Sequence, residues 1–247
     1  MMLESRFLCL AVSRRDGGTC IAGIDIDTGK WIRPVNPRNR GALWDIEVVV
    51  KDRVTENLRM MAVLDLIKLQ LGEPAATGGQ PENWTLNPSS TAEPLLVLSR
   101  AGDDPSLAAR ARDLAEDDGP LSLIFGTYDN KVPHSAIENQ PLLQSLCVIR
   151  PKNLRWVRTT NFKNRPRIEG WFDFGKRDTR FCLPLTDIAW ETQLLEQTIR
   201  ETNMDSSKSP GMNETLEILL TVSLGDHFRE TGHHYKLIAG VLLVPRN

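Results

Sequence analysis

The sequence predicts a mainly β protein with minor α, arranged as two β-rich halves of the barrel or sandwich type. Three observations lead there. Short apolar runs recur through both halves of the 247-residue chain. Gly, Pro, Asn and Asp interrupt them at hairpin spacing. Only two stretches carry a helical stripe, which argues against a parallel sheet wound with helices. Composition agrees: 40% hydrophobic and 25% charged residues match an ordinary globular chain and exclude wholesale disorder.

In the first half, the runs are 6–13, 20–26, 31–35, 46–50 and 60–71. Arg14-Arg15-Asp16-Gly17-Gly18 and Asp27-Thr28-Gly29-Lys30 supply turns between the first three. Pro34 limits pairing in the third. Residues 72–94, rich in Pro, Gly, Ser and Thr, read as a loop that Trp84 pins to the body. Residues 105–116 read as a helix, with Pro105 in its first turn and Leu107, Ala108, Ala111, Leu114 and Ala115 as its stripe. Strands follow at 146–150, 154–158, 166–174 and 180–185. Asp187 caps a helix expected to run to about Glu201. Residues 202–213 read as a flexible loop, and 216–224 and 235–244 as the last two strands, the final one central. The expected division is a barrel over 1–98, a helical and acidic connector over 99–140, and a barrel with an inserted helix over 141–247.

Several classes are excluded or disfavoured. No apolar stretch reaches the ~18 residues of a membrane span. The run after Glu4 is too short for a signal peptide's core of ~7–15 residues. A cytoplasmic location without membrane partners is the expectation. Cys9, Cys20, Cys147 and Cys182 lack zinc-ligand spacing and read as reduced, mostly buried thiols, although Cys9 and Cys20 could face each other across a hairpin. No metal or cofactor is expected.

Two segments carry a family resemblance: LCLAVSRRDGGTCIAGIDIDTGKWIRPV at 8–35 and TVSLGDHFRETGHHYKLIAGV at 221–241. With the strand-turn-strand from Trp171 to Asp187 between them, they resemble the dual OB-containing domain of bacterial genome-conflict and DNA-modification loci. The resemblance implies two OB-like small β-barrels in one chain. Its motifs are structural, so it speaks to fold more than to chemistry.

The net charge of −2 hides an asymmetry. Residues 150–180 carry +7 and residues 101–130 carry −5. Around 150–180 cations alternate with Trp156, Phe162, Trp171, Phe172, Phe174 and Phe181, the mixture that grips single strands through phosphate neutralisation and base stacking. Candidate nucleic-acid contacts are Arg155, Trp156, Arg158, Lys163, Arg165, Arg167 and Trp171. Arg14, Arg15, Trp31 and Arg33 form a second group around a glycine turn that could cradle a phosphate. Lys236, entering an apolar terminal strand, completes the set. The plain alternative is that strand aromatics are core and the charges a solvated face.

Catalytic candidates are Cys20, Asp25 and His234. Cys20 is a nucleophile if a cation lowers its pKa; His227, His233 and His234 crowd one hairpin. No triad, HExxH or spaced carboxylate pair is present. Three functions remain open. The first is a nucleic-acid-binding module, favouring single-stranded or locally opened DNA, serving a modification or phage-defence system with protein partners from the same locus. The second is an enzyme acting on a nucleobase, for example hydrolysing a modified deazaguanine. The third is an adaptor docking a basic partner on residues 101–130.

Overall fold

A computed structural model describes residues 3–15, 18–53, 55–77, 79–87, 94–117, 123–161, 163–197 and 203–246. Residues Asp16, Gly17 and Phe162, and the expected helix end beyond 197, lie outside them.

The first barrel begins with β1 (Leu3–Arg15), β2 (Gly18–Asp25) and β3 (Trp31–Val35). An inserted pair follows, β4 (Val49–Lys51) and β5 (Leu58–Met60), then β6 (Asp65–Pro74), β7 (Asn83–Leu86) and β8 (Leu95–Arg100). The long β1 serves two neighbours. Its first half pairs antiparallel with β6 and its second with β2. β3 runs parallel to β7, and β7 pairs with β6. The ladder therefore closes in the order β1-β2-β3-β7-β6-β1, a five-stranded barrel of OB type. Strand alternation sends Phe7, Cys9, Ile21, Ile32, Ile67, Leu69, Leu71 and Leu86 inside. The residues expected as one strand at 60–71 divide between β5 and β6, and the expected loop at 72–94 contains β7.

Next in the chain come α1 (Pro105–Asp113), β9 (Ala115–Glu116), β10 (Lys131–Pro133) and α2 (His134–Asn139), with β9 and β10 pairing into the sheet of the second half. Asp104 caps α1 by accepting from the Ser106 amide. Leu107, Ala108 and Ala111 form its buried face.

The second half contains β11 (Leu146–Ile149), β12 (Lys152–Thr160), β13 (Pro166–Phe174), β14 (Thr179–Pro184), α3 (Ile188–Gln197), β15 (Asn203–Asp205), β16 (Leu216–Phe228) and β17 (His233–Pro245). β11 and β12 are one path interrupted at Arg150-Pro151, where proline offers no ladder donor. β11 pairs with β16, and β12, β13 and β14 form an antiparallel sheet. A parallel bridge between Leu185 and Ile238 joins this sheet to the β16–β17 hairpin. The strand order repeats that of the first barrel in a more open form. Asp187 caps α3 as expected, through Trp190 N. β15 and a short 3-10 turn at Ser206–Lys208 occupy the segment expected to be a loop.

A third apolar layer fuses the halves. Leu8, Leu10 and Ile24 point out of the first barrel and pack with Val148, Leu219, Leu242, Val244 and α1. Gly240 allows close approach there, because a Cβ on it would stand 2.2 Å from the Leu10 carbonyl oxygen. Among the described residues no helix is long and apolar enough to cross a membrane.

Candidate nucleic-acid interface

The two barrels differ in which outer surface they leave open. The second and third strands of the first barrel, β2 and β3, turn their outer side toward the second barrel. Ala11 and Ala22 meet Leu146 and Ala239 there, and Trp31 packs half-buried against them. Arg33 is only 5% exposed. Its Nη2 lies 3.0 Å from Glu82 Oε1 and donates to Ser145 Oγ at 2.9 Å and Ser223 Oγ at 3.2 Å. A buried guanidinium needs such partners, and burial at the junction keeps Arg33 away from a phosphate at the surface. Arg33 is a correction to the sequence reading. A cleft of about 120 Å³ remains, lined by Ser13, Arg14, Arg15, Cys20, Arg33 and Asp226 among others. Arg15 pairs with Asp226, and Arg14 is exposed.

The catalytic candidates occupy different surroundings. Cys20 faces the inter-barrel cleft, and burial pushes its thiol up despite Arg15 and Arg33. It pairs in register with Ser13, while Cys9 lies opposite Gly23 inside the barrel, so the two cysteines do not face each other. Asp25 closes the turn after β2, accepting from Ser5 Oγ at 2.6 Å and Thr28 N at 2.8 Å. It is held below the usual carboxylate range by those bonds, against a desolvation that raises it. His234 donates from Nδ1 to Gly225 O at 2.9 Å, so its Nε2 accepts from His134 Nδ1 at 3.0 Å. His227 stacks on His134 with ring centroids 3.7 Å apart. His134, distant in sequence, joins this cluster, while His233 turns to Thr231 O. No group of metal-ligating side chains converges among the described residues.

The second barrel keeps its outer sheet open. Along β13, Ile168, Phe172 and Phe174 point inward, and Arg167, Glu169 and Trp171 outward. Along β12, Leu154 and Trp156 point inward and Arg155 outward. Trp156 is therefore core. Its ring is 0% exposed and its Nε1 donates to Ser209 Oγ at 2.8 Å. A ring without exposed surface cannot stack on a base, so Trp156 is the second correction. Gly170 stands opposite Trp156 in the ladder, and a Cβ there would come within 3.2 Å of the indole and 2.4 Å of Ile238. Lys236 is the third correction. It is 0% exposed, donates to Thr127 O at 2.9 Å and lies 5.0 Å over the Phe181 ring.

What stays outside is a cross-strand row, Asp205–Arg155–Trp171–Cys182. Trp171 is 40% exposed. Glu169 Oε2 accepts from its Nε1 at 3.2 Å while pairing with Arg167, which fixes the indole edge. Arg180 pairs with Asp173 and holds that carboxyl below its ordinary range. Asn153, at φ 52°, marks the bulge in β12 and donates to Asp173 at 2.9 Å. A recess of about 470 Å³ lies over this row, lined by Asn153, Arg155, Trp171, Arg180, Asn203 and Asp205. Beyond it, the turn between β12 and β13 presents exposed Lys163 and Arg165, shaped by Asn161 Oδ1 accepting from both their amides. Arg158 is half-buried. Asn203 and Asp205 escaped sequence reasoning, since three residues of edge strand leave no periodic signal. Arg180 and Asn153 had a signal only in the basic stretch around them.

A family model for the dual OB-containing domain matches residues 5–241. No curated protein and no solved structure matches the chain.

Proposed function

Since the chain belongs to the dual OB-containing domain family, we propose that it binds single-stranded or locally opened nucleic acid on the outer face of β12, β13 and β14. One observation carries this reading: Trp171 stands exposed on an open barrel face with Arg155 beside it in the ladder. Base stacking on such an indole contributes about 1–3 kcal/mol per base. Arg155, Lys163 and Arg165 supply the cations that neutralise phosphates. Arg167 and Arg180 beside it are engaged by carboxylates, so the face suits a track for one strand more than a broad polyanion surface.

The first barrel acts as the support. Its equivalent face is spent on the junction with the second. The DNA preference and the service to a modification or phage-defence system rest on the family's setting. There the module holds an opened strand for a partner that acts on it.

Fluorescence anisotropy of a labelled strand of ~12 nucleotides, titrated across salt, tests the reading. Affinity is expected to fall steeply with salt, to drop about 10-fold or more in Trp171→Ala, and to be lost when Arg155, Lys163 and Arg165 are reversed to Glu. Salt-independent binding, or variants that bind like the parent, would overturn it.

A further inference from the structure

The recess beside Trp171 contains a feature that phosphate binding does not call for. Asp205 and Arg155 are direct cross-strand partners at its edge. Asp205 is held below the ordinary carboxylate range, first by the Ser207 amide at 2.9 Å and then by the Ser207 hydroxyl, with Arg155 and Lys208 adding to it. It is therefore a permanent acceptor at a site otherwise suited to a polyanion. A carboxylate costs affinity for phosphate, so its presence fits a ligand group that donates.

Guanine is the base that suits this pairing. Its Watson–Crick edge places two adjacent donors, N1–H and the N2 amino group, where a carboxylate can accept both. Its O6 beside them accepts from a guanidinium or an amide, the roles open to Arg155 and to Asn203. Thymine has one donor between two acceptors, cytosine and adenine one amino group each. An ionised carboxylate repels the acceptors that flank those donors.

We infer that this recess is a guanine-reading subsite: Trp171 stacks the base, Asp205 takes N1–H and the N2 amino group, and Arg155 faces O6. The inference rests on the strand-binding reading and adds base selectivity to it. The recess volume of about 470 Å³ accommodates one nucleotide.

The test uses thymine strands of ~12 nucleotides with one central guanine, hypoxanthine, adenine or cytosine, in competition against a labelled all-thymine strand. Hypoxanthine lacks only the N2 amino group. The guanine strand is expected to bind ~10-fold more tightly than the hypoxanthine strand. Asp205→Asn keeps an oxygen to cap Ser207 and is expected to erase that difference while holding or raising affinity for the all-thymine strand. Equal binding of guanine and hypoxanthine strands, or a preference that survives Asp205→Asn, overturns the inference and leaves strand binding standing. Failure of every strand to bind the parent protein removes both.

Discussion

The Thr221 hydroxyl donates to the Leu10 carbonyl at 2.6 Å, at the register shift between β1 and β2. The bulge frees that carbonyl from the first barrel's ladder, and the second barrel satisfies it. Thr221 belongs to β16 and Leu10 to β1, so a side chain of one barrel completes the backbone pairing of the other. Thr221→Val conserves shape and leaves the buried carbonyl without its donor, an expected loss of about 1–3 kcal/mol. Gly240→Ala is expected to cost more, because its Cβ would meet the same oxygen. Urea unfolding of both should stay a single transition; two separated transitions would show that the junction does not couple the barrels.

The Arg33–Glu82 pair makes a second prediction. Removing one partner strands a buried charge, so Arg33→Met is expected to destabilise the fold by about 3–5 kcal/mol. The affinity of the folded fraction for a single strand should not change. A variant of normal stability with weakened binding would return Arg33 to the interface.

Two tryptophans on one sheet should respond oppositely. Trp156→Ala empties the core of the second barrel and is expected to cost about 3–5 kcal/mol. Trp171→Ala should change stability by less than about 1 kcal/mol while weakening strand binding about 10-fold or more. Thermal melts and anisotropy on the same preparations separate the two effects.

Binding stoichiometry follows from the covered face of the first barrel. Titration at concentrations well above the dissociation constant should saturate at one short strand per chain. A second equivalent strand would require an open face on β2 and β3, against the packing of Trp31 and Arg33.

Lys236 gives the stability a pH signature. Burial pushes its ammonium down to about 7, against an unfolded value near 10.5. Between those values the unfolded chain binds more protons than the folded one, so this group makes stability rise with pH through that window. Below pH ~7 both states carry the proton and the full cost of the buried charge remains. The buried thiols of Cys9 and Cys147, pushed up by burial, pull the other way only at higher pH. Urea midpoints at pH ~7 and ~9 should therefore differ in the parent protein, and Lys236→Met should remove most of the difference. An unchanged slope in the variant would assign the effect elsewhere.

Much of the fold was legible because its signals are local. Apolar runs at hairpin spacing located β1, β2, β3 and most of the second barrel, Asp187 announced α3, and Pro105 announced α1. β7 and β15 were not legible: with four and three residues, they are strands only because β3, β6 and β12 present open edges to them.

By itself the sequence determined two β-rich halves and a concentration of cations between 150 and 180. Period-two alternation says that neighbouring residues face opposite ways; it does not say which side closes into a barrel. Tertiary structure made that choice. Closure around Gly170 drew Trp156 inward and turned Trp171 out, and fusion of the barrels converted Arg33 from a surface cation into a junction ion pair. Burial is a property of the closed surface, and no single strand carries it.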